Sequence, residues 1–343
     1  MKTYRLAMIG FGNVNQGLAE ILQEHAPFLA KTYGVRYTIV GVCGGSKGSL
    51  YHPRGLKIDQ LLAAVRNHES LEQIAAPEHG WDAPALIANS NAQVVVEASY
   101  TNLQTGQPAS DYVRQALEAG KHVVTANKGP VALYYAELAD LARKKGLHFG
   151  VEGSVMSGTP AIQLGQGILK SAVIEKVEGI LNGTTNFILT QMEQGADYQA
   201  ALAEAQRLGY AEADPTGDVE GFDAAGKVVI LSSLLFDRQI GIGDVQRTGI
   251  SQLTSKDIQQ ASQAGERWKL IGSLEHKDGK VTARVAPVRL PLSHPLAGVS
   301  GATNAISYDT QILGRVTLIG PGAGRQQTGY ALLSDLLAIH RAG

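Results

Sequence analysis

The 343-residue sequence contains a single cysteine, almost no net charge and no long apolar run. The lone Cys43 excludes a disulfide within the chain and is compatible with a reducing compartment. A formal charge of −1 offers no basic field for nucleic acid or anionic lipid. No apolar run reaches the ~20 residues of a membrane span, and Gly10 interrupts the short run that a signal peptide would need. We therefore expect a cytoplasmic protein without nucleic-acid or membrane partners.

The N-terminus is typical of a dinucleotide-binding unit. Residues 4–9 form a short apolar strand that runs into a glycine turn and then a helical pattern. This arrangement of strand, turn and helix N-terminus holds a pyrophosphate. The third glycine of the usual fingerprint is replaced by Asn15, and Gly17 follows two residues later, so the motif is a partial match. The predicted cofactor-binding residues of this turn are Gly10, Phe11, Gly12, Asn13 and Val14.

The end of the second strand distinguishes NADP from NAD. An NAD site usually has Asp or Glu there, which accepts a hydrogen bond from the ribose 2′-hydroxyl. Residues 37–43 are followed by no acid but by Ser46 and Lys47, a hydroxyl and a cation that suit a 2′-phosphate. The sequence thus favours NADP. Two alternatives stay open, an ordinary polar loop here and an acid supplied from elsewhere, which would favour NAD.

The first ~150 residues alternate strands and helices in the manner of an α/β protein. Strands at 93–98 and 122–126 are too apolar to alternate, as in a parallel sheet that is covered on both faces. Helices are predicted at 109–119 and 133–145, and another strand at 147–151. We expect a Rossmann-type doubly wound parallel sheet with right-handed crossovers.

From about residue 153 the pattern changes to that of a second, α+β domain with a largely antiparallel sheet. It predicts a strand at 173–181, a helix at 198–208, and a hairpin of 268–275 with 281–289 about a type I′ turn signal, Asp278-Gly279. Near the end, a strand at 316–324 and a helix at 326–340 are expected to return to the first domain. The expected divisions are 1–152 for dinucleotide binding, 153–310 for substrate binding, catalysis and dimerisation, and 311–343 for the returning segment.

Residues 210–227 concentrate carboxylates ahead of an apolar helix. The acids are Glu212, Asp214, Asp218, Glu220 and Asp223, and one lysine, Lys227, follows them. Asp218 is placed to cap the helix, and Asp223 and Lys227 lie four apart on one helix face. Carboxylates can hold an ammonium group while a lysine moves a proton. The alternative is a helix cap with a surface ion pair, worth only a few tenths of a kcal/mol.

Three further segments offer groups that can contact a ligand. Lys128 follows the carboxyl end of a parallel strand, where open α/β sheets bind ligands, although it could also simply cap a strand–helix loop. Residues 179–186 run from a strand into a helix start whose free N–H groups suit a substrate carboxylate. Residues 152–160 are glycine-rich and begin with Glu152, which makes them a candidate site for a hard cation. The nine histidines show no zinc-ligand spacing.

These segments resemble the homoserine dehydrogenases nearly from end to end. The similarity is carried by residues 94–102 with 120–131, by 179–186, by 209–227, and by 292–296 with 322–324. Since no regulatory domain follows the final helix, the chain resembles the short form of the family. The resemblance implies a homodimer that interconverts L-homoserine and L-aspartate 4-semialdehyde with NAD or NADP. That reaction serves the synthesis of threonine, methionine and isoleucine.

Carried over by position, the resemblance also implies residue roles. Lys227 would move the hydroxyl proton, Asp223 would orient it, and Lys128 would be a second lysine near the reacting carbon. The implied substrate-binding residues are Glu212, Asp218, Gly183, Thr184 and Tyr210. The implied cofactor-binding residues add Ser99, Tyr100, Thr101, Lys128 and Gly324 to those of the turn and of Ser46 and Lys47. A monovalent cation such as sodium would be held by Glu152, Val155, Ser157 and Thr159.

Two other classes of protein compete with this interpretation. An aspartate-semialdehyde dehydrogenase on the same architecture needs a catalytic cysteine, and Cys43 lies on the cofactor strand. A dinucleotide sensor without catalysis would need neither Lys227 nor the carboxylates around it.

Overall fold

The computed structural model describes residues 1–277 and 279–343. The strands are β1 (Lys2–Ile9), β2 (Val35–Cys43), β3 (Ser49–Tyr51), β4 (Glu78–His79), β5 (Val94–Glu97), β6 (His122–Thr125), β7 (Phe149–Gly150), β8 (Ile174–Ile180), β9 (Gln246–Arg247), β10 (Glu266–Lys277), β11 (Lys280–Pro291), β12 (Thr303–Thr310) and β13 (Gly314–Pro321). The helices are α1 (Asn13–Glu24), α2 (Ala26–Tyr33), α3 (Ile58–Arg66), α4 (Ala83–Asn89), α5 (Ala109–Glu118), α6 (Lys128–Lys144), α7 (Gly183–Glu193), α8 (Tyr198–Arg207), α9 (Thr216–Val219), α10 (Phe222–Phe236), α11 (Ser255–Gln263) and α12 (Arg325–Ala342).

The chain forms two compact units. The first comprises Met1–Gly158 with Gly324–Gly343, and the second comprises Thr159–Ala323. Within the described residues no helix is long and apolar enough to cross a membrane.

The first unit is built on a doubly wound sheet, as the sequence predicts. Its strand order is β4-β3-β2-β1-β5-β6-β7, and the strands from β2 to β7 in that order run parallel. Alternate residues of β1 enter different cores: Leu6 and Met8 pack into one, and Ala7 and Ile9 into the other. Both faces of the sheet are therefore covered, which explains why its strands are apolar throughout.

Asn15 and Gly17 together replace the fingerprint glycine that is absent from this turn. Asn15 is fully buried, and its Nδ2 donates to the carbonyl oxygens of Ile9, Gly10 and Val96. It thereby ties the turn to β1 and β5. A Cβ on Gly17 would collide with the backbone of Arg325, so the close helix packing that the fingerprint glycine usually allows occurs between α1 and α12.

The second unit contains a six-stranded sheet in the order β13-β12-β8-β10-β11-β9, which is antiparallel except between β11 and β9. This confirms the predicted α+β fold class. The hairpin of β10 and β11 is also confirmed, since Lys277 pairs with Lys280, whereas Asp278 of its turn signal lies outside the described residues. Helix α10 is buried along most of its length and packs against both hairpin strands.

The segment after residue 310 differs from the prediction. Residues 314–321 form β13, which pairs with β12 along its whole length, so this strand belongs to the second sheet and does not return to the first domain. A short loop between two eight-residue strands makes them antiparallel neighbours. Only from Gly324 does the chain belong to the first unit, as α12.

Candidate active site

A cleft of about 440 Å³ opens beyond the carboxyl ends of β1, β2 and β5 in the first unit. Five predicted cofactor residues line it: Gly10, Phe11, Gly12, Ser99 and Tyr100. Gly10 has a φ of +77°, and a Cβ there would lie 2.5 Å from the carbonyl oxygen of Ala98. Only glycine fits at this position, because the turn packs directly against the backbone that follows β5.

The other predicted cofactor residues also belong to the first unit but do not line this cleft. They are Asn13, Val14, Ser46, Lys47, Thr101, Lys128 and Gly324. Ser46 is exposed, and Lys47 ends a short 3₁₀ turn after β2. The acid in the cleft is Asp82, which sequence reasoning missed because it lies about forty residues after β2, on another element.

A buried carboxylate organises the edge of the cleft. Glu97, at the end of β5, is 0% exposed and accepts hydrogen bonds from the Ser99 amide at 2.8 Å, from the Ser99 hydroxyl, and from Thr125 Oγ1 at 2.9 Å. Burial raises its pKa, and these hydrogen bonds oppose the rise. Sequence reasoning gave Glu97 no role, although an acid inside an otherwise apolar strand is a visible signal.

Asn127 connects this edge to Lys128. Its Nδ2 donates to the carbonyl oxygens of Ser99 (3.3 Å) and Tyr100 (3.2 Å), while its Oδ1 caps α6 through the Gly129 amide at 3.0 Å. Lys128 is the half-buried first residue of α6. The loop and the helix start are thus held together by one side chain.

The second unit contains a buried ion pair at the start of α10. Lys227 Nζ lies 2.7 Å from Asp223 Oδ2 and donates to the Leu181 carbonyl at 2.6 Å. The side chain of Lys227 is only 7% exposed, so the pair is not the surface ion pair of the alternative interpretation. The predicted placement of the two residues on one helix face is confirmed.

Asn182 joins the two aspartates of this cluster. Its Nδ2 donates to Asp218 Oδ1 at 2.6 Å and to Asp223 Oδ2 at 3.1 Å, and its Oδ1 accepts from the Thr185 amide at the start of α7. Because the cap fixes which end of the amide is the acceptor, the NH₂ group must face the carboxylates. The pattern of residues 179–186 predicts no role for Asn182, since its partners lie about forty residues away.

Asp218 does not cap the apolar helix, and that prediction is wrong. It lies within the short helix α9. Helix α10 begins only after Gly221, which separates the two helices and has a φ of +78°. The carboxylate turns instead toward Asn182. Burial raises the pKa of Asp218, and the charge of Asp223 adds to the rise. A partly desolvated pair of aspartates beside one lysine is a site that favours a further cation.

Gly183 and Thr184 follow Asn182 at the start of α7, and Thr184 also forms a hydrogen bond with Asp218. Thr184 Oγ1 donates to the Tyr210 carbonyl at 2.7 Å, and the Tyr210 ring lies 5.0 Å from the ring of Phe187. A Cβ on Gly183 would lie 2.6 Å from the Ala302 carbonyl oxygen, so the helix start is closely packed. Glu212 is exposed.

The predicted cation residues fall in both units. Glu152, Val155 and Ser157 are buried in the first unit, and Thr159 is the first residue of the second. Ser157 has a φ of +54°, a conformation that is uncommon for residues other than glycine. No group of three or more His, Cys, Asp or Glu side chains in the described part of the chain could hold a metal ion.

Comparison with known proteins covers both units of the chain. A family model described as homoserine dehydrogenase, NAD binding domain, matches residues 10–152, and one described as homoserine dehydrogenase matches 160–337. The chain is 46% identical over 343 residues to the NAD(+)-dependent homoserine dehydrogenase of Pseudomonas canavaninivorans, covering 100% of this chain and 97% of that one.

Two solved structures share the fold. The homoserine dehydrogenase of Thiobacillus denitrificans is 34% identical with a TM-score of 0.84, over 99% of this chain and 74% of that one. A hyperthermophilic archaeal homoserine dehydrogenase mutant in complex with NADPH is 27% identical with a TM-score of 0.84, over 98% of each chain. With its glycine turn, its buried lysine–aspartate pair and these matches along its whole length, the chain belongs to the homoserine dehydrogenase family, the NAD(P)-dependent oxidoreductases that act on homoserine.

Proposed function

We propose that this chain interconverts L-homoserine and L-aspartate 4-semialdehyde with Lys227 as the group that moves the hydroxyl proton. The observation that carries the proposal is the burial of Lys227 against Asp223, with the lysine also fixed by the Leu181 carbonyl. A lysine held in this way presents one ammonium group in a defined direction, as a general acid must. Asp223 is the positioning residue of the pair.

Asp218 and Glu212 would bind the charged end of the amino acid. Asp218 is partly desolvated and already aimed by Asn182, so an ammonium ligand would offset the repulsion that it receives from Asp223. Glu212 is exposed and would add its charge from the outer side. Gly183, Thr184 and Tyr210 would shape the pocket wall around the α7 start.

The nicotinamide nucleotide supplies the hydride acceptor when it is bound. The residues that would hold it are Gly10, Phe11 and Gly12 with Ser99 and Tyr100, since all five line the cleft. Asn13, Val14, Thr101 and Gly324 would support them from the neighbouring backbone. Lys128, at the start of α6, would be a second cation near the reacting carbon.

The choice between NADP and NAD depends on which side chains reach the ribose. Ser46 and Lys47 remain the argument for NADP, but neither lines the cleft, whereas Asp82 does. One relative is NAD(+)-dependent, and one solved relative is in complex with NADPH, so the family accommodates both.

A monovalent cation such as sodium would be held by Glu152 and by the carbonyl groups of Val155 and Ser157, with Thr159 as the family's further ligand. The donor set suits a hard cation because it consists of oxygen atoms. In support, Glu152 is 1% exposed, and Ser157 adopts a left-handed conformation that its surroundings must stabilise.

We also propose a cytoplasmic homodimer that associates through the second unit. The edge strand β13 leaves Ile319 54% exposed, and Ile312 and Leu313 before it are 70% and 60% exposed. An unpaired edge with apolar side chains is a surface that association would cover. Light scattering on the purified protein measures the mass directly, and a monomer at micromolar concentration would contradict the proposal.

The role of Lys227 is tested by Lys227→Ala with saturating homoserine and nucleotide. We expect kcat to fall by at least ~10²-fold, the usual loss when a general acid–base group is removed. Affinity for the nucleotide, measured by direct titration, should change little.

Lys170→Ala is the matched control. Lys170 also pairs with an aspartate of the second unit, Asp237 at 3.0 Å, but both side chains are largely exposed. It should leave kcat within a few-fold of the parent. If Lys227→Ala does the same, then Lys227 is only an ion-pair partner of Asp223.

A further inference from the structure

The carboxylate of Asp82 lines the nucleotide cleft from an element that does not carry the fingerprint. It precedes α4, and its Oδ1 accepts from the Ala85 amide at 2.8 Å. The side chain shares the cleft wall with Cys43, Gly44 and Gly45 at the end of β2. That is the strand end from which dinucleotide-binding proteins usually present a carboxylate to the ribose.

A second observation places the Asp82 charge at this strand end. Burial raises the pKa of the Cys43 thiol, and the negative charge of Asp82 adds to that rise. An electrostatic effect of this kind requires the carboxylate to lie near the last residue of β2. Asp82 therefore lies near the β2 end although it belongs to the α4 start.

Ser46 and Lys47, which would suit a 2′-phosphate, are less well placed than Asp82 to contact a nucleotide in the cleft. Lys47 and Ser46 belong to the turn of residues 45–47, and neither side chain lines the cleft. The cleft wall is made of apolar and glycine residues with serine and tyrosine hydroxyls, and Asp82 is its one ionisable carboxylate. A 2′-phosphate bound there would meet a like charge, whereas a 2′-hydroxyl would meet an acceptor.

We propose that Asp82 accepts a hydrogen bond from the adenosine 2′-hydroxyl and makes this enzyme selective for NAD over NADP. The one Asp82 oxygen that caps α4 fixes the carboxylate, and the second oxygen remains for the ribose. The proposal deepens the proposed function at the nucleotide site and rests on nicotinamide nucleotide binding, not on the role given to Lys227. Its test therefore uses binding in the absence of homoserine.

The experiment is calorimetric titration of the parent and of Asp82→Asn with NAD⁺, NADP⁺ and NAD⁺ that lacks the adenosine 2′-hydroxyl. Asparagine keeps a side-chain oxygen for the Ala85 amide and removes the charge. The parent should bind NAD⁺ about tenfold more tightly than NADP⁺. With NADP⁺, the hydrogen bond from the 2′-hydroxyl to the Asp82 carboxylate is lost, and the 2′-phosphate is repelled by the same carboxylate. Asp82→Asn should bind NAD⁺ about tenfold more weakly than the parent does. It should bind NADP⁺ as tightly as the parent or more tightly.

The 2′-deoxy analogue separates a ribose contact from a general effect. It should bind the parent more weakly than NAD⁺ does, and Asp82→Asn should leave its affinity unchanged. An equal loss for NAD⁺ and for the analogue would overturn the proposal, as would a parent that prefers NADP⁺.

Asp197→Asn is the control for helix capping. Asp197 caps α8 through the Ala200 amide at 2.8 Å, the same contact in the second unit. It should alter the melting temperature about as much as Asp82→Asn does and should leave all three affinities unchanged. If it shifts the nucleotide preference to the same extent, then Asp82 acts only through the fold.

Discussion

At the scale of single residues, burial and hydrogen bonding separate acids that look equivalent in the sequence. Asp218 and Glu212 lie six residues apart in one acidic stretch, yet Asp218 is aimed by Asn182 and Glu212 is exposed. The same contrast holds for Lys227 and Lys170, which both pair with an aspartate. A partly desolvated charge interacts more strongly with a ligand than a solvated one does.

Asp218→Asn is expected to weaken homoserine binding without weakening the fold. The KM for homoserine should rise about tenfold or more, since the ammonium group loses a charged partner, while the KM for the nucleotide stays near that of the parent. The melting temperature should be unchanged or higher, because the substitution removes a carboxylate whose pKa burial raises. Steady-state kinetics and thermal unfolding measure both effects. A fall in melting temperature with equal changes in both KM values would make Asp218 a structural residue.

Glu212→Gln should have a smaller effect that depends on salt. Because Glu212 is exposed, its attraction for the substrate is screened, so we expect the KM for homoserine to rise less than in Asp218→Asn. The difference between Glu212→Gln and the parent should shrink as the salt concentration rises from low to physiological. A difference that is insensitive to salt would indicate a direct contact that excludes water.

At the scale of elements, side chains near strand ends fix the loops that carry the site. Glu97 at the end of β5 binds Ser99 and Thr125, and Asn182 after β8 binds two aspartates. These contacts connect residues that are distant in the sequence. The helix-periodic pair of Asp223 and Lys227 was predictable because it is local. The partners of Glu97 and Asn182 were not, since they depend on which strands become neighbours.

Glu97→Gln tests whether the pKa of the fully buried Glu97 carboxylate changes on folding. Burial raises its pKa above the ordinary value of 4.5, so the folded state holds the proton more strongly than the unfolded chain. The stability that this group contributes is thus present below pH 4.5 and is lost as the pH rises toward the raised pKa. Glutamine does not titrate. The melting temperature of Glu97→Gln, relative to that of the parent, should therefore become more positive with rising pH.

Thermal unfolding between about pH 5 and pH 9 measures this trend. Glu78→Gln serves as the control, because Glu78 is exposed in the same unit, and its difference from the parent should stay constant. A constant difference for Glu97→Gln as well would mean that its pKa does not change on folding.

Asn15→Gly restores the glycine of the usual fingerprint and should nevertheless be harmful. The Asn15 amide donates to carbonyls of the turn, of β1 and of β5, so its loss should lower the free energy of unfolding by about 1–3 kcal/mol. Nucleotide affinity should not improve, since Gly17 already provides the close helix packing. Urea unfolding and nucleotide titration measure the two effects. Tighter nucleotide binding with unchanged stability would show that Asn15 is a defect of the motif.

At the scale of the whole molecule, the sequence predicted the two fold types because each has its own periodicity. Apolar strands that alternate with helices indicate the parallel sheet, and the pair 268–275 and 281–289 indicates the antiparallel one. The sheet that residues 314–321 join was not predictable from their glycine-flanked strand pattern, because that pattern is compatible with a strand in either sheet. The nucleotide acid was missed for a similar reason: Asp82 reaches the β2 end only through the fold.

We expect this molecule to oxidise homoserine with a nicotinamide nucleotide through Lys227. The most direct measurement is the absorbance of reduced nicotinamide when the purified protein is mixed with L-homoserine and either NAD⁺ or NADP⁺, in the parent and in Lys227→Ala. We expect one reduced nucleotide for each homoserine oxidised, a faster reaction with NAD⁺, and a loss of at least ~10²-fold in the variant. A folded protein that binds the nucleotide but reduces none of it would contradict the proposed activity, and a variant as active as the parent would contradict the role of Lys227.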